Sequence, residues 1–225
     1  MIVAIVMKTA AAVVTAALAA CSLQNMVETV ATIHSGGVHE ITTTTPLVLR
    51  GTSTASIVQE LQHMKRRDLL ALFQRCATDS PAMRGPIMGD YDGVLLDNNG
   101  LTRVTGFLTN GLFGRGRTWN GKAFLLDSGI NRFDSGQPTH SFEYSVGPSK
   151  MRPYKDAVQL DYSQHQQPWS LWKTMKDEIR VAAVLDDGEV WIGMGCMAWS
   201  GSFWNASPFC LYRVFSKTSD AVSHK

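Results

Sequence analysis

From Gly85 onward the chain is a succession of short apolar runs separated by turn residues. Tyr91–Leu96 and Leu101–Leu108 flank Asp97-Asn98-Asn99-Gly100, a turn sequence in which Asn and Gly supply the positive φ that a reversal needs. Gly121–Leu126, Val158–Tyr162 and Phe209–Phe215 are further runs of strand length. Ser141–Val146 alternates Phe142, Tyr144 and Val146 on one face. Ile179–Leu185 and Val190–Met197 flank Asp186-Asp187-Gly188 and predict the clearest hairpin. This makes about eight strands in about 130 residues with little helical periodicity between them, which predicts a mainly all-β antiparallel fold, a sandwich or a barrel. Eight strands close around an interior that holds side chains or one small ligand.

Residues 56–80 follow a different period. Ile57, Leu61, Met64, Leu69, Leu72 and Phe73 recur at helical spacing, with Glu60, Lys65, Arg66 and Asp68 on the other side. Ser56 and Gln59 form a capping-box pattern at the start, and Asp79-Ser80-Pro81 marks the end. One N-terminal amphipathic helix ahead of a sheet predicts a lid or plug over an open end.

Residues 21–55 are rich in Thr and Ser and read as a flexible spacer, and 216–225 as a flexible tail. In residues 1–20, Lys8 precedes an almost wholly apolar run of small side chains that ends in Leu18-Ala19-Ala20. That pattern predicts a cleavable export leader and a destination along the secretory pathway. The run is short of the roughly 20 residues that span a bilayer, so no transmembrane segment is expected after cleavage. A second reading takes Leu18-Ala19-Ala20-Cys21 as a lipobox that anchors the chain through Cys21.

Composition narrows the classes of function. With 44% hydrophobic and 18% charged residues, a sizeable core can be buried in one domain, placed at 85–215. A formal charge of +2 gives no ground for a nucleic-acid partner, and Lys65-Arg66-Arg67 reads as an exposed helix face. Gly193-Met-Gly195-Cys-Met-Ala198 lacks the following helix and acidic residue of a dinucleotide site, and Gly114-Arg-Gly116 lacks a third glycine. No G-x-S-x-G, H-E-x-x-H or P-loop occurs. No metal-ligand spacing links His63 or His140 to a second ligand, so neither a metal nor another cofactor is expected. Cys196 and Cys210 either bridge neighbouring strands or stay as buried thiols.

Candidate chemistry is densest between Asp161 and Arg180. If the protein is an enzyme, His165 is the base, Asp161 its orienter and Arg180 or Arg132 an anion stabiliser. Against this stands a solvated loop whose tryptophans, Trp169 and Trp172, pack on the barrel rim. Glu178 and Arg180 share a strand face and are expected to pair with each other or with a neighbour. Asn131-Arg132-Phe133 is placed in a turn, where Arg132 would clamp an anionic head group or tie down a loop.

Gly89-Asp-Tyr91-Asp-Gly93 is similar to the G-x-W that opens a lipocalin barrel, with Tyr91 in the place of Trp. Leu160-Asp161-Tyr162 resembles the later T-D-Y element, and Arg213 stands where lipocalins place a closing Arg. Trp119-Asn-Gly121-Lys122-Ala-Phe124, Asp177-Glu178-Ile179-Arg180 and the hairpin ending Gly193-Met194 also resemble uncharacterised lipocalin-like domains, including the one paired with the GXWXG module. The resemblance spans about 85–215 and implies a lipocalin-like barrel. The expected function is the binding of a small hydrophobic molecule, a lipid, pigment or terpenoid. Tyr91, Trp119, Phe124, Asn131, Arg132, Tyr144, Trp191 and Met194 are the expected contacts. Two alternatives are an isomerase, cyclase or hydrolase of a lipophilic substrate in the same cavity, and an assembly subunit.

Overall fold

The computed structural model describes residues 49–76, 86–96, 106–150, 155–168, 170–197 and 206–215. The leader, Cys21, the Asp97–Gly100 turn, Trp169 and the tail lie outside these residues. Eight antiparallel strands close into a barrel in simple chain order: β1 (Gly89–Leu95), β2 (Trp119–Phe124), β3 (Ser128–Phe133), β4 (Thr139–Pro148), β5 (Asp156–Asp161), β6 (Met175–Leu185), β7 (Gly188–Met197) and β8 (Ser207–Val214). Each strand bonds to the next, and β1 meets β8 through pairs such as Gly93 with Leu211. Closure removes both sheet edges, so every strand has two neighbours.

Among the described residues the strand count agrees with the sequence; Leu101–Thr105 of the expected second strand lie outside them. Asn131–Phe133, expected in a turn, belongs to β3. Phe107–Phe113, whose first residues were expected to end a strand, is a helical segment with π-type bonds, such as Gly114 N–H to Thr109 C=O. Tight approach of strands shows at Gly121, where φ is 140° and an added Cβ would strike the Tyr91 carbonyl of β1. The register shifts beside it, between Trp119 and Gly121, a bulge that tightens the local bend.

The helical region is realised as two short helices, α1 (Thr54–His63) and α2 (Arg66–Arg75), broken where Met64 and Lys65 turn extended. The capping box lies three residues earlier than expected: Ser53 caps and Ser56 reciprocates. Asp187, in the β6–β7 turn, accepts from both the backbone N–H and the hydroxyl of Thr54, which latches α1 to the barrel.

The two helices lie against the outer wall and do not plug an end. Ile57, Leu61, Leu69 and Phe73 pack with Val190, Ile192, Met194 and Cys210, on the outward faces of β7 and β8. With its outer face covered, β7 is buried on both sides, which is why its sequence reads as a continuous apolar run. Arg66 is buried here and donates to the Ala206 carbonyl, so this part of the basic run is not an exposed face.

Candidate functional site

Alternation along the strands sends a second set of side chains into the barrel. Tyr91, Trp119, Phe124, Phe133, Phe142, Leu160, Tyr162, Ile179, Trp191 and Phe209 form one cluster there. Among them stand three polar residues that are almost fully buried: Lys122 from β2, Asn131 from β3 and Asp177 from β6. Tyr162, just after β5, completes the group.

Lys122 Nζ donates to Asn131 Oδ1 at 2.8 Å, Tyr162 Oη at 2.6 Å and Asp177 Oδ2 at 2.9 Å. All three ammonium protons therefore have acceptors. The Tyr162 hydroxyl donates to Asp177 Oδ2 at 2.7 Å. Trp119 Nε1 donates to Asn131 Oδ1, and the Asn131 amide donates to the His140 carbonyl. Rings of Trp119, Phe142, Tyr162 and Phe209 surround the ammonium at 5.1–5.6 Å, within cation–π range.

Burial pulls the Lys122 pKa below the ordinary lysine value, and the Asp177 carboxylate partly offsets it. Burial likewise holds the Tyr162 hydroxyl far above its ordinary value, reinforced by the negative charge of Asp177. Four buried polar atoms have no hydrogen-bond partner among the described residues: Asp177 Oδ1, an acceptor, and Trp191 Nε1, a donor, in the aromatic interior, with Arg213 Nε beside Tyr91 and Asn120 Oδ1.

The two ends of the barrel differ. At one, Phe113 stacks on His140 with ring centroids 3.9 Å apart and meets Trp172 edge-on at 4.8 Å. His140 donates from Nε2 to the Phe113 carbonyl, which holds the π-helical segment over this mouth. At the other, Tyr91 and Arg213 both donate to Glu189 Oε1, and the guanidinium lies 4.8 Å from the centre of the Tyr91 ring. Arg213 also donates to the Met88 carbonyl, and Tyr144 to the carbonyls of Ile87, Leu125 and Leu126. Charge pairs and bonded tyrosines shut that end.

Six of the expected ligand contacts sit inside the barrel: Tyr91, Trp119, Phe124, Asn131, Tyr144 and Trp191. Two do not. Met194 packs outward beneath the helices, because it is out of phase with Trp191 on β7. Arg132 follows the inward Asn131 and therefore faces out, 3.5 Å from Asp92 and 3.8 Å from Asp90.

The expected catalytic group is not assembled. Asp161 accepts from Lys176 and from the Ser163 backbone, while His165 lies 3.8 Å from Glu143 on the surface. Arg180 is on the outer wall under α2, donating to the carbonyls of Phe73, Lys155 and Asp156. Glu178 turns instead to the Ser149 hydroxyl and the Lys150 backbone, so Glu178 and Arg180 do not pair with each other. Asp161, Glu178 and Lys176 line a surface cleft of about 230 Å³ across β4–β6 that has no connection to Arg180. No disulfide joins Cys196 to Cys210: both are thiols, and Cys210 stands opposite Ile192, four residues from Cys196 along β7.

The fold and interior thus define a closed eight-stranded antiparallel barrel with an aromatic lining and a buried ion pair. Comparison with protein-family models, with curated proteins and with solved structures gives no match. Lys122, Tyr162 and Asp177 are the functional candidates that reading the chain left unassigned. Their signal was present as strand alternation: Lys122 shares a face with Phe124, and Asp177 with Ile179 and Val181.

Proposed function

We propose that this protein is an exported carrier that holds a small, mainly apolar molecule bearing a hydroxyl group inside the barrel. The observation that carries it is the pair of buried, unpartnered polar atoms, Asp177 Oδ1 and Trp191 Nε1, within an aromatic interior. Binding sites are mostly apolar with a few fixed polar groups, and a buried polar group without a protein partner is met by an ordered water or by a polar group of a ligand. A carboxylate oxygen needs a donor and an indole N–H needs an acceptor; a hydroxyl satisfies either. The aromatic cap of Phe113, His140 and Trp172 is the mouth, since the opposite end is shut by Glu189, Arg213 and Tyr144. The export leader at 1–20 supports a site of action outside the cytosol.

Farnesol, with its saturated hydrocarbon counterpart farnesane as the comparison, tests the proposal through tryptophan quenching. Saturable quenching by farnesol, weaker by several-fold with farnesane or in Trp191→Phe, is expected from the loss of one hydrogen bond. No saturable quenching by either molecule overturns the proposal.

A second reading, an isomerase, cyclase or hydrolase of such a molecule, is favoured by Lys122, whose burial eases release of its proton. It moves the chemistry from His165, Asp161 and Arg180 to Lys122, Tyr162 and Asp177. Mass spectrometry of farnesol after incubation, with the paired Lys122→Met/Asp177→Leu variant as control, separates the two: unchanged farnesol leaves the carrier alone.

A further inference from the structure

Most of the large apolar side chains exposed on the described surface gather at one end of the barrel. Met88 precedes β1, Leu125 and Leu126 form the β2–β3 turn, Val146 is near the end of β4, Val184 near the end of β6, and Phe215 follows β8. Leu126 is 69% exposed and Leu125 60%. In an up-and-down barrel all of these strand ends fall at the same rim. Cross-bonds tie them together: Tyr144 holds the Leu125 and Leu126 carbonyls beside that of Ile87, Arg213 holds Met88, and Phe215 N–H donates to Asp187. The opposite mouth exposes Phe107 and Leu112.

Two features point to what covers this rim. The apolar side chains are spread over several strand ends around the closed barrel. Such a spread fits a flat, fluid partner, into which each side chain can sink on its own. Secondly, the chain enters the fold at this end: Leu49 lies a few residues before Thr54, which is latched to Asp187 in the β6–β7 turn. The 48 residues before Leu49 begin with the apolar stretch of 1–20. The chain N-terminal to the fold therefore joins it at this rim. Exposed charges at this rim are of both signs, Asp127 and Asp186 against Lys150 and Lys155, so no net attraction to an anionic surface is built in and neutral head groups fit it best.

We propose that this rim docks on a lipid bilayer with neutral head groups, inserting Leu125 and Leu126 below the head-group level. Each apolar side chain that leaves water adds to the attachment, so several of them together suffice for reversible docking. Docking at this end leaves the Phe113–His140–Trp172 mouth facing water. The proposal stands whether or not the barrel carries a ligand.

The test places a reporter in the rim. Leu126→Trp in the full chain is mixed with phosphatidylcholine vesicles whose acyl chains are brominated, and the added emission is compared with that of the parent protein. Leu112→Trp at the opposite mouth is the control, and Leu125→Trp is a second reporter in case Leu126→Trp misfolds. Bromine is expected to remove most of the added emission at 126 and 125 and to leave that at 112. Equal quenching at both ends, or none at the rim, overturns the proposal. So does quenching that requires phosphatidylglycerol, or a lipid-free dimer in sedimentation that Leu126→Glu dissociates.

Discussion

Lys122 carries its charge at a depth where an unpaired ion costs several kcal/mol, and Asn131, Tyr162 and Asp177 together make that position tenable. Replacing it with Met strands the Asp177 carboxylate among aromatic rings. Lys122→Met is expected to lose about 3–5 kcal/mol of stability in urea denaturation, and a paired Lys122→Met/Asp177→Leu variant to regain much of it. His140 gives a pH signature. Burial holds its pKa below the ordinary 6.5, partly opposed by its bond to the Phe113 carbonyl. On acidification the unfolded chain takes up this proton first, so the contribution of His140 is complete above about 6.5 and falls away below it. The melting temperature of the native protein should therefore drop more between neutral pH and about 5 than that of His140→Gln. At this scale the chain disclosed most of the inward residues, although Met194, Arg132 and Arg180 face out, but not which of them meet. The i, i+4 spacing of Asp161 and His165 brings side chains together only on a helix. Here Asp161 ends a strand and His165 sits in a short 3₁₀ turn, so the pair never forms.

At the scale of elements, the latch between the β6–β7 turn and α1 joins parts distant in sequence. Asp187→Ala removes both acceptors of Thr54, and a loss of about 1–2 kcal/mol is expected by analogy with helix caps. Hydrogen exchange should speed up first over Thr54–Arg75, leaving the strands protected. Gly121 is a sharper test of the barrel wall. Alanine there must adopt a φ of 140° and force apart β1 and β2, so Gly121→Ala is expected to cost about 3 kcal/mol or more, or to prevent folding. The β6–β7 hairpin was legible because Asp186-Asp187-Gly188 sits between two apolar runs. Strand β3 was not, since its inward positions are Gly129, Asn131 and Phe133, and only the last is a large apolar residue. The alternation that marks a half-buried strand is erased when the barrel spends two inward positions on close packing and a hydrogen-bond network. The break at Met64 and Lys65 was likewise hidden, because neither residue is a helix breaker and three- and four-residue apolar spacings resume after it at Leu69, Leu72 and Phe73.

At the scale of the whole molecule, the two clusters inside and outside the β7–β8 wall make the helices part of one cooperative unit. Cys76 and Cys210 lie in the outer cluster, and burial pushes both thiols up to about 12. In a Cys21→Ser background they should react with Ellman's reagent only as fast as the protein opens, so labelling rate and urea stability should move together across variants. Closure itself was foreshadowed by strand number and spacing. Met194 and Arg180 were assigned to the interior side of the problem because a wall buried on both faces gives no polar stripe to say which way its residues point.

Pairing of the first strand with the last has a bearing on how the chain is made. Until Phe209–Tyr212 leaves the ribosome, β1 lacks one of its two neighbours, and the barrel remains an open sheet with bare edges. Such long-range pairing is slow to form, and it favours a polypeptide that stays open through synthesis and locks its shape only after the last strand is made.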